Sequence, residues 1–553
     1  MRPRSARITR PLLVASAIIV VLVLAIPQIG LTQQAALNSP LTSAISPNEF
    51  LGVTRCERCH QAPTQADIDS KVIDFVLLNE SKVWASDVHS KAFEFIDPTK
   101  SDLGKQICDK LGIANIHESR ACLSCHSDWR PEQQAPPATY ERGVACESCH
   151  GASENWDVPH SKDSWRAISV VEKYEKFGMI DVRNPIKRAE QCFGCHIGNV
   201  AEGKIITHEM YAAGHPPLPG IEIESFAAQM PRHWRYLDEK IGDALSRRTN
   251  NDNDSDDSPF VNFQEFLDEN HAYLKPQAAN ASELVLGHDH RSAAVVLGGV
   301  VALRESIELM RDLASEDRPG KHTWPELATF DCRSCHHELT TPSRRQEQRT
   351  ASIPGRPMMS SWPTALVRLA IRHVSADRAS YDKSLEDFQA KLRTVQSELM
   401  RSPFGSPSRV HAACSELSAW ITAEVVEPVS AQPFDDRAVT DAINVLIVIG
   451  STEQHDYDSA RQIAWALRML SCGTSRDEPH RSIINRAVET LATELRLDFP
   501  NGPTESCLPV SDINASREIL PIVRMLSTSL TASTEFDSEL FRQKMQQLRE
   551  SLR

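Results

Sequence analysis

Five copies of Cys-x-x-Cys-His constrain this chain more than any other feature. They are Cys56-Cys59-His60, Cys122-Cys125-His126, Cys146-Cys149-His150, Cys192-Cys195-His196 and Cys332-Cys335-His336. Two thiols at this spacing can add across the vinyl groups of a haem, and the adjacent imidazole then reaches the iron from one face. At this Cys and His content, chance would supply about a hundredth of one copy. The motifs take ten of the fourteen cysteines. A structural zinc site asks for paired CxxC at finger-like spacing and has no need of a His after the second Cys. Here His follows every time, and 136 residues lie between Cys195 and Cys332. A thioredoxin-like CxxC needs a βαβ setting, which is absent around these motifs. The expected cofactors are five covalently attached haem c groups, with His60, His126, His150, His196 and His336 as proximal ligands.

At the N-terminus Arg2, Arg4, Arg7 and Arg10 precede an apolar run from Leu12 to Ile26. A basic start before an apolar stretch is an export signal. No A-x-A triplet follows, although Gly30-Leu31-Thr32 is a passable small-residue site. Extended to Ile29, the run is close to the minimum for a span, so residues 1–30 are either a signal peptide or an N-terminal membrane anchor. Both readings put the body of the chain in the periplasm or another extracytoplasmic space, tethered to the inner membrane in the second case. The formal charge of −14 excludes a general nucleic-acid binder and favours basic redox partner proteins, a membrane respiratory complex among them.

Residues 31–50 are polar and unpatterned and read as a linker. Four motifs then crowd into residues 56–196, and twenty positions separate His126 from Cys146. Haems are large apolar plates and replace the core that side chains otherwise build, so this part is expected to hold short helices and loops. Asn250 to Asp257 is an acidic low-complexity run without the Gly and closing Glu of a calcium loop. A helical stretch from Ala293 to Ala314 leads into the fifth motif. Beyond about residue 360, Leu385, Phe388, Leu392, Val395 and Leu399 recur on one helical face. Similar faces occur at Ile463–Leu470, Ile484–Leu495 and Phe541–Leu552, and the apolar run within Asp441–Gly450 reads as a buried helix. The expected fold is mainly α. A multihaem core over 51–225 has little regular structure around stacked haems. An extension with the acidic loop and fifth motif follows over 226–345, then an α-helical domain over 346–553.

Each iron has a second axial position, and its occupant separates an electron carrier from a site of ligand chemistry. Of the 20 histidines, fifteen stand outside the motifs. Their surroundings single out His89, His160, His208 and His215 as candidate distal ligands, in settings rich in Trp, Gly and Pro. His233, His288, His290, His322 and His337 rank below them, and His373, His411, His455 and His480 read as solvated. Among the other cysteines a disulfide can involve Cys414, Cys472 and Cys507, with Cys472–Cys507 the most plausible pair and a buried free thiol the alternative.

The chain resembles the cytochrome c-554 family of tetrahaem cytochromes over roughly residues 50–220. The resemblance rests on Cys56-Glu57-Arg58-Cys59-His60, Trp84 with His89, and Cys122-Leu123-Ser124-Cys125-His126. It continues through Gly143-Val144-Ala145-Cys146-Glu147-Ser148-Cys149-His150-Gly151 with His160, and Cys192-Phe193-Gly194-Cys195-His196. It implies haems in closely stacked pairs, distal ligation by His89 and His160, and a five-coordinate haem at His126. Either His208 or His215 could fill that open position, and the fifth motif and helical C-terminal part have no counterpart in the family. The expectation is an exported pentahaem electron carrier with no catalytic residues. The rival is a redox enzyme with one open iron acting on a small nitrogen or sulfur compound. No CxxCK lysine-ligated motif supports the rival, and five haems are too few for an octahaem oxidoreductase.

Overall fold

The structure, a computed structural model, describes residues 48–65, 78–130, 136–162, 164–165, 168–234, 287–315, 324–336, 341, 356–432, 434–472, 478–497, 499, 532–533 and 535–553. The fold is mainly α, and the only β pairing among the described residues is two isolated bridges, Asn199 with Lys204 and Phe330 with Met359. The N-terminal apolar run, the acidic loop, His322 and His337 lie outside the described residues. No helix among those described is long and apolar enough to cross a membrane.

Four of the five motifs close a helix: α1 (Val53–His60), α2 (Arg120–His126), α3 (Cys146–His150) and α4 (Pro185–His196). A helical turn carries the second Cys and the His on from the first, which is the arrangement a haem edge requires. The segment α5 (His208–Ala213) follows, capped by the Thr207 hydroxyl, which accepts from Met210 N at 3.3 Å. The fifth motif sits on a single 3-10 turn, Cys332–Ser334, whose N-cap Asp331 accepts from Arg333 N at 3.1 Å.

Helix α4 shows how the haem-bearing part joins the rest. Asn184 caps it, accepting from Ile186 N at 2.9 Å, and Pro185 starts it with a preset φ. Ile186, Ala189 and Phe193 form a fully buried stripe at helical spacing, while the thiols of Cys192 and Cys195 stay partly exposed. That stripe packs on the long helix α6 (Gly287–Leu313), which covers all of the expected 293–314 helix but its last residue. The same apolar core continues through Val295, Leu303 and Ile307 to the C-terminal helices α7 (Val367–Val374), α8 (Arg378–Met400), α9 (Pro407–Ile421), α10 (Asp436–Thr452), α11 (Tyr457–Cys472), α12 (Glu478–Glu494) and α13 (Ser538–Ser551). The haem-free helices therefore share one hydrophobic core with α4. Arg304 of α6, fully buried, pairs with Glu190 of α4 and with Glu305, which ties the two parts together electrostatically.

The apolar stripes read from the sequence fall where helical periodicity puts them. Phe388, Val395 and Leu399 are buried on α8, and Leu385 and Leu392 lie partly buried against them. The Asp441–Gly450 run is helical and buries Ile443, Leu446, Ile447 and Ile449. Two of the histidines expected in solvent are not there. His373 lies against Phe434 with centroids 4.5 Å apart, and the His455 ring bonds Ile449 O at 3.0 Å. Burial lowers the pKa of both, which keeps them neutral packing groups. Periodicity missed them because His373 stands in the last turn of α7 and His455 in the loop between α10 and α11.

Glu222, buried, caps the helix Ile223–Ala227 by accepting from Glu224 N at 3.1 Å and Ser225 N at 2.8 Å. Burial outweighs these bonds and pushes its carboxyl from 4.5 up to about 7. Between those two values the native state holds a proton that the unfolded chain has released. Stability should therefore fall as pH rises through that window, by up to about 3 kcal/mol. Urea titrations of wild type and Glu222→Gln at about pH 5 and about pH 8 check this, and the variant should lose its share of the slope.

Candidate haem centres

The motif histidines do not stand alone. His60 faces His160 with ring centroids 6.2 Å apart and planes 14° from parallel. His196 faces His89 at 6.2 Å and 87°, His126 faces His215 at 6.3 Å and 79°, and His336 faces His208 at 6.2 Å and 21°. Imidazole nitrogen binds a first-row metal at about 2.0 Å, and a five-membered ring's centre lies about 1.15 Å from each of its atoms. Two imidazoles on opposite faces of one iron therefore have centroids about 6.3 Å apart. Four independent pairs at that separation fit haem irons ligated on both sides by histidine. The third motif's histidine has another histidine within electrostatic range. His233 is close enough to His150 that its charge lowers the His150 pKa, second only to burial.

The outer nitrogens of these rings are tied. A ligating histidine gives its other N–H to an acceptor, which fixes its tautomer and orientation. His60 Nδ1 meets Glu80 Oε2 and His89 Nδ1 meets Asp87 Oδ1, both at 2.9 Å. His126, His160 and His215 turn Nδ1 toward the carbonyls of Ala92, Trp156 and Pro216, at 2.9, 3.0 and 2.7 Å. In all five, Nε2 is the nitrogen left for a metal. Burial pushes His126, His150 and His196 down to about 4, so each is neutral and its lone pair is available at neutral pH.

The glycines and the tryptophan of the sequence motif hold His89 in place. Trp84 Nε1 donates to Val144 O at 2.9 Å, and Val144 N donates to His89 O at 2.9 Å. Gly143, at φ +83°, lies so close that a Cβ there would meet His89 O at 2.5 Å and Ser90 O at 2.9 Å. Gly143→Ala should cost about 2–3 kcal/mol through the left-handed φ and the backbone clash, and should push His89 away from His196. A weakened low-spin signal from one haem, together with a lowered denaturation midpoint, would record both effects.

Glu147, between the two cysteines of the third motif, binds the first motif's approach. Its carboxylate accepts from Leu51 N at 3.0 Å, Gly52 N at 2.7 Å and Ser153 N at 2.8 Å, and its side chain is buried. The motif helices also meet: α3 packs on α1 and on α4, and Ser124 Oγ of the second motif donates to Gly203 O, in the segment that follows the fourth, at 3.2 Å. First and third motifs thus adjoin, as do third and fourth, and the second lies beside the segment after the fourth. A cleft lined by Arg120, Arg130, Lys204 and Glu202 opens beside Ser124 and Ser148 of the second and third motifs; Lys204 is paired with Glu202, which leaves the two arginines as cations suited to haem propionates.

The family described as cytochrome c554 and c-prime matches residues 55–151, which hold the first three motifs. Over these residues the chain is similar to the cytochrome c-554 family. Cytochrome c-554 of Nitrosomonas europaea is 25% identical over 162 residues, covering 27% of this chain and 57% of that protein. The chain thus spans little more than half the length of this curated relative. No solved structure matches it. Similarity to the c-554 family implies covalently bound haem c.

Against the sequence expectations, the structure brings His89, His160, His208 and His215 each to a motif histidine. The open iron that the c-554 resemblance implies at His126 does not agree with the geometry, since His215 faces that ring. His233, ranked lower from the sequence, lies within electrostatic range of His150. Its signal was its neighbour Trp234, whose ring lies 5.2 Å away, but no local spacing links it to a motif eighty residues earlier. Cys108 and Cys414 are buried free thiols and Cys472 is disulfide-bonded, while Cys507 lies outside the described residues.

Proposed function

We propose that this chain is an exported pentahaem c-type cytochrome that carries electrons between redox partner proteins. The observation that carries the reading is the set of His–His pairs at the separation of two ligands on one iron. Each haem c, when bound, supplies a one-electron ferric/ferrous couple. The ten motif cysteines would hold the haems by thioether bonds, and His60, His126, His150, His196 and His336 would be the proximal ligands. Opposite them, His160, His215, His233, His89 and His208 would close the distal positions.

The surrounding side chains would tune these centres. Glu80 and Asp87 accept from His60 and His89 with carboxylates, whereas His126, His160 and His215 give their N–H to neutral carbonyls. A carboxylate partner makes the imidazole a stronger donor and favours the ferric state. His89 reflects this balance: burial lowers its pKa, and the hydrogen bond and charge of Asp87 raise it further than burial lowers it. The first and fourth centres should therefore be harder to reduce than the second. Export follows from the Arg2–Ile26 start and from the compartment in which covalent haem attachment takes place, and the shared core of α4 and the C-terminal helices gives the haems a rigid frame for docking to a larger partner. A catalytic role at an open second iron is the less favoured reading, because His215 faces the His126 ring.

The test is the reduced holoprotein with and without carbon monoxide, alongside its intact mass. Five haems of added mass and an unchanged Soret band are expected. A carbon monoxide shift worth one haem would sink the all-histidine reading and restore the enzyme.

A further inference from the structure

The fifth motif lies 136 residues beyond the fourth, yet it does not stand apart. Helix α5 begins with His208, which faces His336 of the fifth motif, and His215 just past its end faces His126 of the second. Six helical residues cover about 9 Å, so two motif histidines far apart in sequence are brought near one short segment.

Both ends of α5 are fastened. At its start, His208 N donates to Glu326 Oε1 at 2.8 Å, and the same oxygen accepts from Ala328 N at 3.1 Å, in the turn that leads to Cys332. At its finish, Ala213 O accepts from Gln106 Nε2 at 3.2 Å. Gln106 belongs to the helix Asp102–Leu111, whose Cys108 shares a buried cluster with Leu123 of the second motif. One end of α5 is thus anchored to the fifth motif's approach and the other to the second motif's surroundings.

Exposure adds an independent point. Among the ten motif cysteines, only Cys59 of the first motif and Cys332 and Cys335 of the fifth are exposed. Helix contacts join first to third and third to fourth, and Ser124 of the second reaches the segment after the fourth, so the first motif is already one end of that series.

Resting on the haem-ligation reading above, we propose that α5 is a two-ended ligand bridge that yokes the fifth haem to the second. The fifth haem is then the outer end of the series, and the exposed turn around Cys332 and Cys335 is a site of electron exchange with a redox protein. His208 serves the fifth iron and His215 the second, and the bridge fixes their spacing because Glu326 and Gln106 hold its ends.

The experiment uses the full holoprotein carrying Leu327→Cys, labelled with a ruthenium photoreductant. Leu327 is exposed on the turn before the fifth motif, and the free thiols Cys108 and Cys414 are buried. A flash should reduce the fifth haem first and the second next. In a His215→Ala background under carbon monoxide, the second haem is locked ferrous, and the onward phase should be lost while the first phase stays. His215→Met keeps a sixth ligand and raises the potential of the second haem, so there the electron should halt at that haem. An onward phase unchanged in both backgrounds would overturn the bridge. Failure of His208→Ala and His215→Ala each to bind one equivalent of carbon monoxide would instead overturn the ligation itself.

Discussion

The oxidised holoprotein should give two distinct families of low-spin EPR signal, and His89→Ala should abolish one member outright while turning one haem in five high-spin. The reason lies in the ring planes. When two axial imidazoles are parallel, both donate into the same iron d orbital and split it from its partner. Crossed planes load the two orbitals equally and leave them nearly degenerate. His60 with His160 (14°) and His208 with His336 (21°) belong to the first kind. His89 with His196 (87°) and His126 with His215 (79°) belong to the second, and should give the steep signals of large maximal g. His89→Ala removes one ligand from the fourth centre, so one steep signal goes and that haem alone should bind carbon monoxide. A variant that kept both steep signals would show that His89 is not a ligand.

Glu147→Ala should be the most damaging single change in the haem-bearing part. Three backbone N–H groups, of Leu51, Gly52 and Ser153, lose their acceptor at once. An unsatisfied buried donor costs about 1–3 kcal/mol, so the loss of three acceptor contacts should total roughly 3–9 kcal/mol. It should appear as a lower urea midpoint of the holoprotein, and as loosening of the first motif, because Gly52 precedes α1 directly. Glu147→Gln retains an acceptor oxygen and should lose much less. Equal stability of wild type and Glu147→Ala would mean that water replaces the carboxylate and that the first motif does not depend on the third.

These two cases mark what could be read from the chain. The motif residues were legible because haem attachment is a local chemical demand: two thiols and an imidazole within five positions. The helices of the C-terminal part were legible for a similar reason, since Phe388, Val395 and Leu399 must share one face for the apolar stripe to be buried. Glu147 was quoted in the sequence only as a letter within a motif. Its task depends on Leu51 and Gly52 arriving from nearly a hundred residues away.

The candidate distal histidines stand between these cases. Trp84 and the Gly-Pro setting of His215 drew attention to residues that face motif histidines in the fold, because restrained backbone leaves such traces in sequence. Which histidine meets which motif could not be read there, and the second motif shows the consequence: family resemblance implied an open iron where His215 lies across from His126. The sequence by itself determined the haem-attachment chemistry, the mainly helical build and the apolar stripes, all of which are set by spacing along the chain. Only the tertiary structure decided the pairings, His233 within electrostatic range of His150, the crossed and parallel ring planes, and α5 reaching two motifs at once. Those depend on distances between segments brought together by folding, and no local pattern encodes such a distance.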